Sequence, residues 1–184
     1  MRFRDWEEIR KELKRVTAHL KSQPRIIAIG GTALVYYGLK GSTRYLDFVF
    51  PSQGECFWFA EALRECGFDF RKGENVWRFI DFTRDLYIDL SYGKMGDVTL
   101  SQTMFSRLKE EKINTLSIWI PLLADLFIMK ACHSIDTFET DAIGDAKRIY
   151  EKISLDLVHE ELRNQSEQVN EKVNRWLSEF GSSK

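Results

Sequence analysis

The sequence predicts an α+β fold, a mixed β-sheet flanked by helices, with a helical subdomain at its C-terminal side. Three observations carry this. Short apolar segments bounded by turn residues recur between residues 26 and 92. Helical spacing of apolar residues opens the chain, and after Pro121 the pattern stays helical nearly to the end. At 184 residues, 43% of them hydrophobic, the chain suits one compact core with a helical appendage. The division expected is an αβ core over 1–120 and a helical subdomain over 121–184.

Each element has a local reason. Trp6, Ile9, Leu13, Val16 and Leu20 share one helical face, which predicts a helix over 4–22 ended by Pro24. Ile26–Ile29 read as a short buried strand, and Gly30-Gly31 turn it into a helix from Thr32 to about Tyr37, closed by Gly38. Residues 44–50 form the next strand, with Tyr45, Asp47 and Val49 on one face and Leu46, Phe48 and Phe50 on the other. A turn at Pro51–Gly54 leads to a helix ending near Cys66-Gly67. Phe68–Arg71, Val76–Phe82 and Leu86–Tyr92 read as three further strands, separated by turns at Lys72–Asn75 and Thr83–Asp85. Four or five strands are expected in the sheet. Residues 100–110 read as helix, and β-branched Ile113–Ile120 as a last edge strand. Breaks near Ser134–Thr137 and Ser154 divide the helical region. Its last segment carries Leu162, Val169, Val173, Trp176, Leu177 and Phe180 as an apolar stripe, to pack on the body or on a partner.

Composition excludes several classes. The formal net charge is −1, so no global basic field points to nucleic acid. Residues 1–25 hold eight Lys or Arg against four Asp or Glu, which reads first as a solvated helix face. Cys56, Cys66 and Cys132 have no metal-binding spacing, and their odd number suits reduced thiols. Pro121 and Asp125 interrupt the most apolar stretch, Ile118–Met129, so no membrane span is expected, and the location expected is cytoplasmic. His19, His133 and His159 lack a ligand spacing, and the five tryptophans fall on apolar faces as core or interface anchors.

The chemistry concentrates in the first half. A strand, a Gly-Gly turn and a helix N-terminus present backbone N–H groups to an anion, beside a strand bearing Asp47. Gly30-Gly31-Thr32-Ala33-Leu34, then Ser42-Thr43-Arg44-Tyr45-Leu46-Asp47, then Tyr87-Ile88-Asp89-Leu90 resemble the signature of the nucleotidyltransferase superfamily. The nearest branch in pattern is the small bacterial and archaeal one that includes AbiEii-type toxins. Leu122–Lys130 followed by Asp141-Ala142-Ile143-Gly144-Asp145 is similar to its downstream helical part, so four ordered elements span about residues 24–150. The resemblance implies a nucleotidyltransferase-like mixed sheet and transfer of NMP from a nucleoside triphosphate to a hydroxyl of RNA, protein or a small molecule. It implies Mg²⁺ held by strand carboxylates, since that hard cation prefers carboxylate oxygen. Asp47 and Asp89 match the second and third acids of the pattern and are the catalytic and metal-binding candidates.

Tyr45 stands where the pattern has its first acid. A phenol of reference pKa about 10 is neutral at pH 7 and supplies no negative ligand. The alternative is therefore a degenerate relative, a nucleotide-binding or protein-interaction module that has kept the fold. Asp81 and Asp85 are near in sequence, with no pattern directing them to the site. Gly30 and Gly31 either contact phosphate or only permit the turn; Thr32 caps the helix or touches ligand. Ser42, Thr43 and Arg44 are turn and strand-end residues or, with Lys40, phosphate contacts. Lys130 binds phosphate by analogy or forms a structural salt bridge; Asp141 and Asp145, four apart on one helical face, pair with Lys130 or bind a polar substrate group. The partners implied are a nucleotide, an RNA or protein acceptor, and an antitoxin-like protein or a second copy of the chain.

Overall fold

The structure is a computed structural model and describes residues 2–73 and 76–181. The expected turn at 72–75 reaches residues 74 and 75, which lie outside the described residues. The chain separates into two compact units, Met1–Gly93 with Lys109–Ile120, and Lys94–Leu108 with Pro121–Lys184. Residues 94–108, ahead of the boundary expected at 120, thus cluster with the C-terminal helices.

The first unit contains α1 (Trp6–Thr17), β1 (Ile26–Ala28), α2 (Gly30–Tyr36), β2 (Tyr45–Phe50), α3 (Gln53–Glu65), β3 (Asp69–Lys72), β4 (Trp77–Asp81) and β5 (Leu86–Tyr92). Two more of its strands are contributed after the excursion through 94–108. Numbering in chain order, the second unit opens with β6 (Lys94–Met95), β7 (Val98–Thr99) and α4 (Gln102–Ser106). The first unit then regains the chain as β8 (Lys109–Ile113) and β9 (Leu116–Ile120). Among the described residues its sheet has seven strands, in the order β3-β4-β5-β2-β1-β9-β8. The β2–β5 and β1–β9 pairs are parallel and the others antiparallel, so the sheet is mixed, as expected.

Strand number and edge are corrected. The segment 113–120 is not an edge strand but a hairpin, with Ile113 opposite Leu116 across a two-residue turn. Asn114 takes φ 56° there, a left-handed conformation that asparagine tolerates better than most residues. The edge is β8, which begins at Lys109 inside the stretch read as helix; α4 ends at Ser106. Its Lys-Glu-Glu-Lys run is largely exposed and has no apolar alternation to announce a strand. Such charge is suited to a sheet edge, where it discourages pairing with another chain.

Helix α1 is shorter than the periodicity suggests because Asp5 caps it. Its carboxylate accepts from the Glu8 N–H, and Glu8 reaches back to the Asp5 N–H, forming a capping box. Arg4 lies outside the helix and pairs through its backbone with Thr43. Ile9, Leu13 and Val16 are buried. Helix α3 covers the Leu46, Phe48 and Phe50 face of β2, with the Phe59 ring 6.0 Å from Phe48 and 5.6 Å from Phe50. Ile88 and Leu90 of β5 are also fully buried. That face is the core of this unit, and the functional candidates are on the other.

The second unit packs α5 (Leu123–Thr137) against α6 (Thr140–Tyr150), α7 (Leu155–Leu162) and α8 (Glu167–Phe180). The apolar stripe of α8 joins its core: Trp176 is fully buried, with its ring 4.9 Å from Phe127 and 5.5 Å from Tyr150. The breaks expected near 134–137 and at 154 occur, and a third falls at 163–166. Ser166 marks it by capping α8 through the Val169 N–H. Among the described residues no helix is long and apolar enough to cross a membrane.

Candidate functional site

The parallel pairing of β2 with β5 sets Asp47 directly beside Asp89 and Tyr45 beside Tyr87. Strand alternation places all four on the face opposite Phe48 and Leu90. The two tyrosine rings lie 5.6 Å apart. The sequence thus brings its two candidate acids together, on neighbouring central strands, with a tyrosine pair one step down the ladder.

A residue that the sequence reading did not single out completes this row. Arg78 of β4 is in register with Asp89. Its Nε donates to Asp89 Oδ1 at 2.7 Å and its Nη2 to Oδ2 at 2.6 Å, so the guanidinium forks both carboxylate oxygens. The same guanidinium lies 5.1 Å from the centre of the Tyr45 ring. Hydrogen bonding to Asp89 holds the Arg78 proton more tightly than usual, raising its pKa above the ordinary arginine value. The only available signal was alternation: Arg78 and Ile80 share a face of a strand whose other face is Trp77, Phe79 and Asp81.

Asp47 is anchored on the Gly-Gly turn. Its Oδ2 accepts from the Gly31 N–H at 3.2 Å, and its own N–H donates to the buried Thr32 hydroxyl at 2.8 Å. Thr32 therefore ties α2 to β2 and does not cap the helix. Gly30 has φ 55°, and a Cβ there would meet Asp47 Oδ2 at 2.5 Å; a Cβ on Gly31 would meet Thr43 Oγ1 at 2.3 Å. Both glycines are required for the close approach of the turn to the Asp47 strand. Thr43 is buried, and its hydroxyl donates to the Tyr45 carbonyl at 3.0 Å. Arg44 is exposed, its guanidinium 4.6 Å from the Phe3 ring centre. Ser42 is half-buried in the segment leading to this pairing.

The Mg²⁺ that the pattern implies does not fit this donor set. A hard divalent cation needs several carboxylate oxygens at one place. Tyr45 contributes none, and both Asp89 oxygens are engaged by a cation. Asp81 is no substitute, because it sits on the opposite face and binds Arg15, Arg84 and Thr83. Asp85 occupies a left-handed turn position, φ 52°, in the loop held by Arg4. Among the described residues, no three His, Cys, Asp or Glu side chains form a group that could hold a metal ion.

The second unit holds the other candidates. Lys130 Nζ lies 3.0 Å from the buried Asp145, which also receives Arg148 at 2.9 Å. Lys130 and Asp145 thus form an ion pair, and Asp141 is exposed. A charged cluster that the sequence did not reveal lies deeper. Arg107, just after α4, donates through Nη2 to Asp125 at 2.5 Å and to Glu161 at 2.9 Å, and both acids are fully buried. Burial pushes the Asp125 carboxyl above the usual carboxylate range, against the pull of Arg107.

Comparison with known proteins agrees with this architecture. The family described as "Nucleotidyl transferase of unknown function (DUF2204)" matches residues 9–179, and the chain belongs to it. No curated protein sequence matches the chain. Solved structures that share the fold include the following three. The solution structure of the antibiotic-resistance factor ANT(2'')-Ia is 10% identical, at a TM-score of 0.59 over 95% of this chain and 94% of that one. The crystal structure of ANT(2'')-Ia with adenylyl-2''-tobramycin is 10% identical, at 0.61 over 91% and 98%. An antigenic nucleotidyltransferase-like protein from Paracoccidioides brasiliensis is 11% identical, at 0.58 over 98% and 92%. At such identities the likeness is one of fold.

Proposed function

We propose that this protein is a nucleotide-binding member of the nucleotidyltransferase fold that does not carry out ordinary two-metal NMP transfer. The observation behind it is the fork of Arg78 on both oxygens of Asp89, with Tyr45 beneath the guanidinium. In the transferase chemistry that the fold suggests, a metal ion neutralises phosphate and activates the attacking hydroxyl. Here an arginine forks the third acid, and a tyrosine stands in place of the first. A guanidinium can hold phosphate but cannot lower the pKa of a bound hydroxyl as a divalent cation does. Nucleotide binding is supported by family membership and by the retained Gly-Gly turn and paired Asp47 and Asp89.

A second reading has an observation of its own. Asp47 and Asp89 stand side by side, and a transferase could use them if Arg78 swung away. That reading would carry over the activity of the fold's relatives: ANT(2'')-Ia was solved with an adenylylated aminoglycoside. It would also keep the toxin-like branch in play, with an RNA or protein acceptor and an antitoxin-like partner. The experiment is a labelling assay with each of four α-labelled nucleoside triphosphates, Mg²⁺ or Mn²⁺, and RNA, protein and aminoglycoside acceptors. We expect no transfer by wild type alongside measurable nucleotide binding. Transfer that Asp47→Asn or Asp89→Asn abolishes would replace this proposal with the second reading.

A further inference from the structure

We infer that Arg71 and Arg78 together form a metal-independent seat for the polyphosphate of a nucleoside triphosphate, which rests on the nucleotide-binding reading above. Arg71 of β3 is directly opposite Arg78 of β4 in the ladder. Extending the register gives an uninterrupted row across four strands, Arg71, Arg78, Asp89, Asp47. The row is ordered by charge, with its cationic end at β3–β4 and its acidic end at β5–β2.

Two like charges directly opposite on antiparallel strands have Cβ atoms about 4.5–5.5 Å apart and destabilise the sheet unless a counter-charge is near. Asp89 supplies one counter-charge, and it is spent on Arg78. Among the described residues, no carboxylate forms an ion pair with Arg71, including Asp69 two residues before it on the same face. The Arg71 guanidinium is exposed, 5.8 Å from the centre of the exposed Phe82 ring. Arg78 uses Nε and Nη2 on Asp89, and among the described residues Nη1 makes no hydrogen bond. The pair therefore presents one whole guanidinium and one free arm of another. Both are planar donors of the kind that bind phosphate oxygens in pairs.

The cation needed beside the phosphates is thus built into the sheet. Asp89 positions it, holding Arg78 in one rotamer and preventing it from folding onto solvent. An exposed seat of this kind is electrostatic and weakens with salt.

The test is calorimetric titration of the full chain in excess EDTA with ATP, sodium tripolyphosphate and adenosine. ATP and tripolyphosphate should bind and adenosine should not. Arg71→Gln should weaken ATP and tripolyphosphate by about tenfold or more, with Arg71→Lys losing less, because a guanidinium makes paired contacts that an ammonium cannot. Thermal unfolding should not fall for either variant, since Arg71 is exposed and its charge faces Arg78 across the ladder. Metal-free ATP binding that survives both Arg71→Gln and Arg78→Lys would overturn the seat while leaving the nucleotide reading intact. Binding of ATP only when Mg²⁺ is supplied would likewise overturn it. No binding of ATP under either condition would overturn the nucleotide reading and this inference with it.

Discussion

Replacing Arg107 with methionine should cost about 3–5 kcal/mol of unfolding free energy at neutral pH, the range for removing one partner from a buried charge network. Asp125 and Glu161 are both fully buried and both accept from Arg107 Nη2. Methionine fills much of the volume but leaves two carboxylates facing each other without a cation. The loss should depend on pH, with a definite sign. Burial raises the Asp125 carboxyl above its ordinary value even with Arg107 present. A group raised on folding contributes stability below its unfolded pKa, and that contribution is lost as pH rises through the folded value. Removing the guanidinium raises the folded value further, so the loss extends to higher pH. Urea unfolding at pH 8 and pH 5 should therefore give a larger deficit at pH 8. Equal deficits, or a deficit below about 1 kcal/mol, would mean that the cluster is not held by charge.

Gly30→Ala should have the next largest effect, about 2–4 kcal/mol, from two sources that add. The residue is left-handed at φ 55°, which costs an alanine roughly 1–2 kcal/mol. The new Cβ would also approach Asp47 Oδ2 to 2.5 Å and its Cγ to 3.0 Å, so the side chain has to rotate off the Gly31 N–H. Stability and site geometry should fail together. Thermal unfolding measures the first; metal-free ATP titration measures the second. A variant of wild-type stability would show that neither the left-handed backbone nor the close approach to Asp47 constrains residue 30.

These effects fall where the sequence was partly readable. The Gly-Gly turn, the Asp47 strand and the Asp89 strand were legible because each combines an apolar run with an unusual residue at a fixed place. Their proximity was implied by the family resemblance alone, and the parallel β2–β5 pairing sets Asp47 beside Asp89. Edge strand β8 was not legible, since a strand that is largely solvated carries no apolar period. Arg78 was missed for a related reason. Its role comes from register with Asp89 across an antiparallel pair, and register is a property of two strands that neither one spells alone. The Arg107 cluster was invisible for a third reason. Its members at 107, 125 and 161 are brought together only by tertiary packing, and no spacing in the sequence links them.

Asp89, engaged by Arg78 through both oxygens, is not available to a metal ion. Mn²⁺ titration followed by electron paramagnetic resonance tests this on the intact chain, with a Tyr45→Asp/Arg78→Ala double variant alongside. We expect wild type to bind no stoichiometric Mn²⁺ and the double variant to bind it, because one change restores the first acid and the other releases the third. Stoichiometric Mn²⁺ on wild type, lost in Asp89→Asn, would contradict the account and return the site to metal-dependent chemistry.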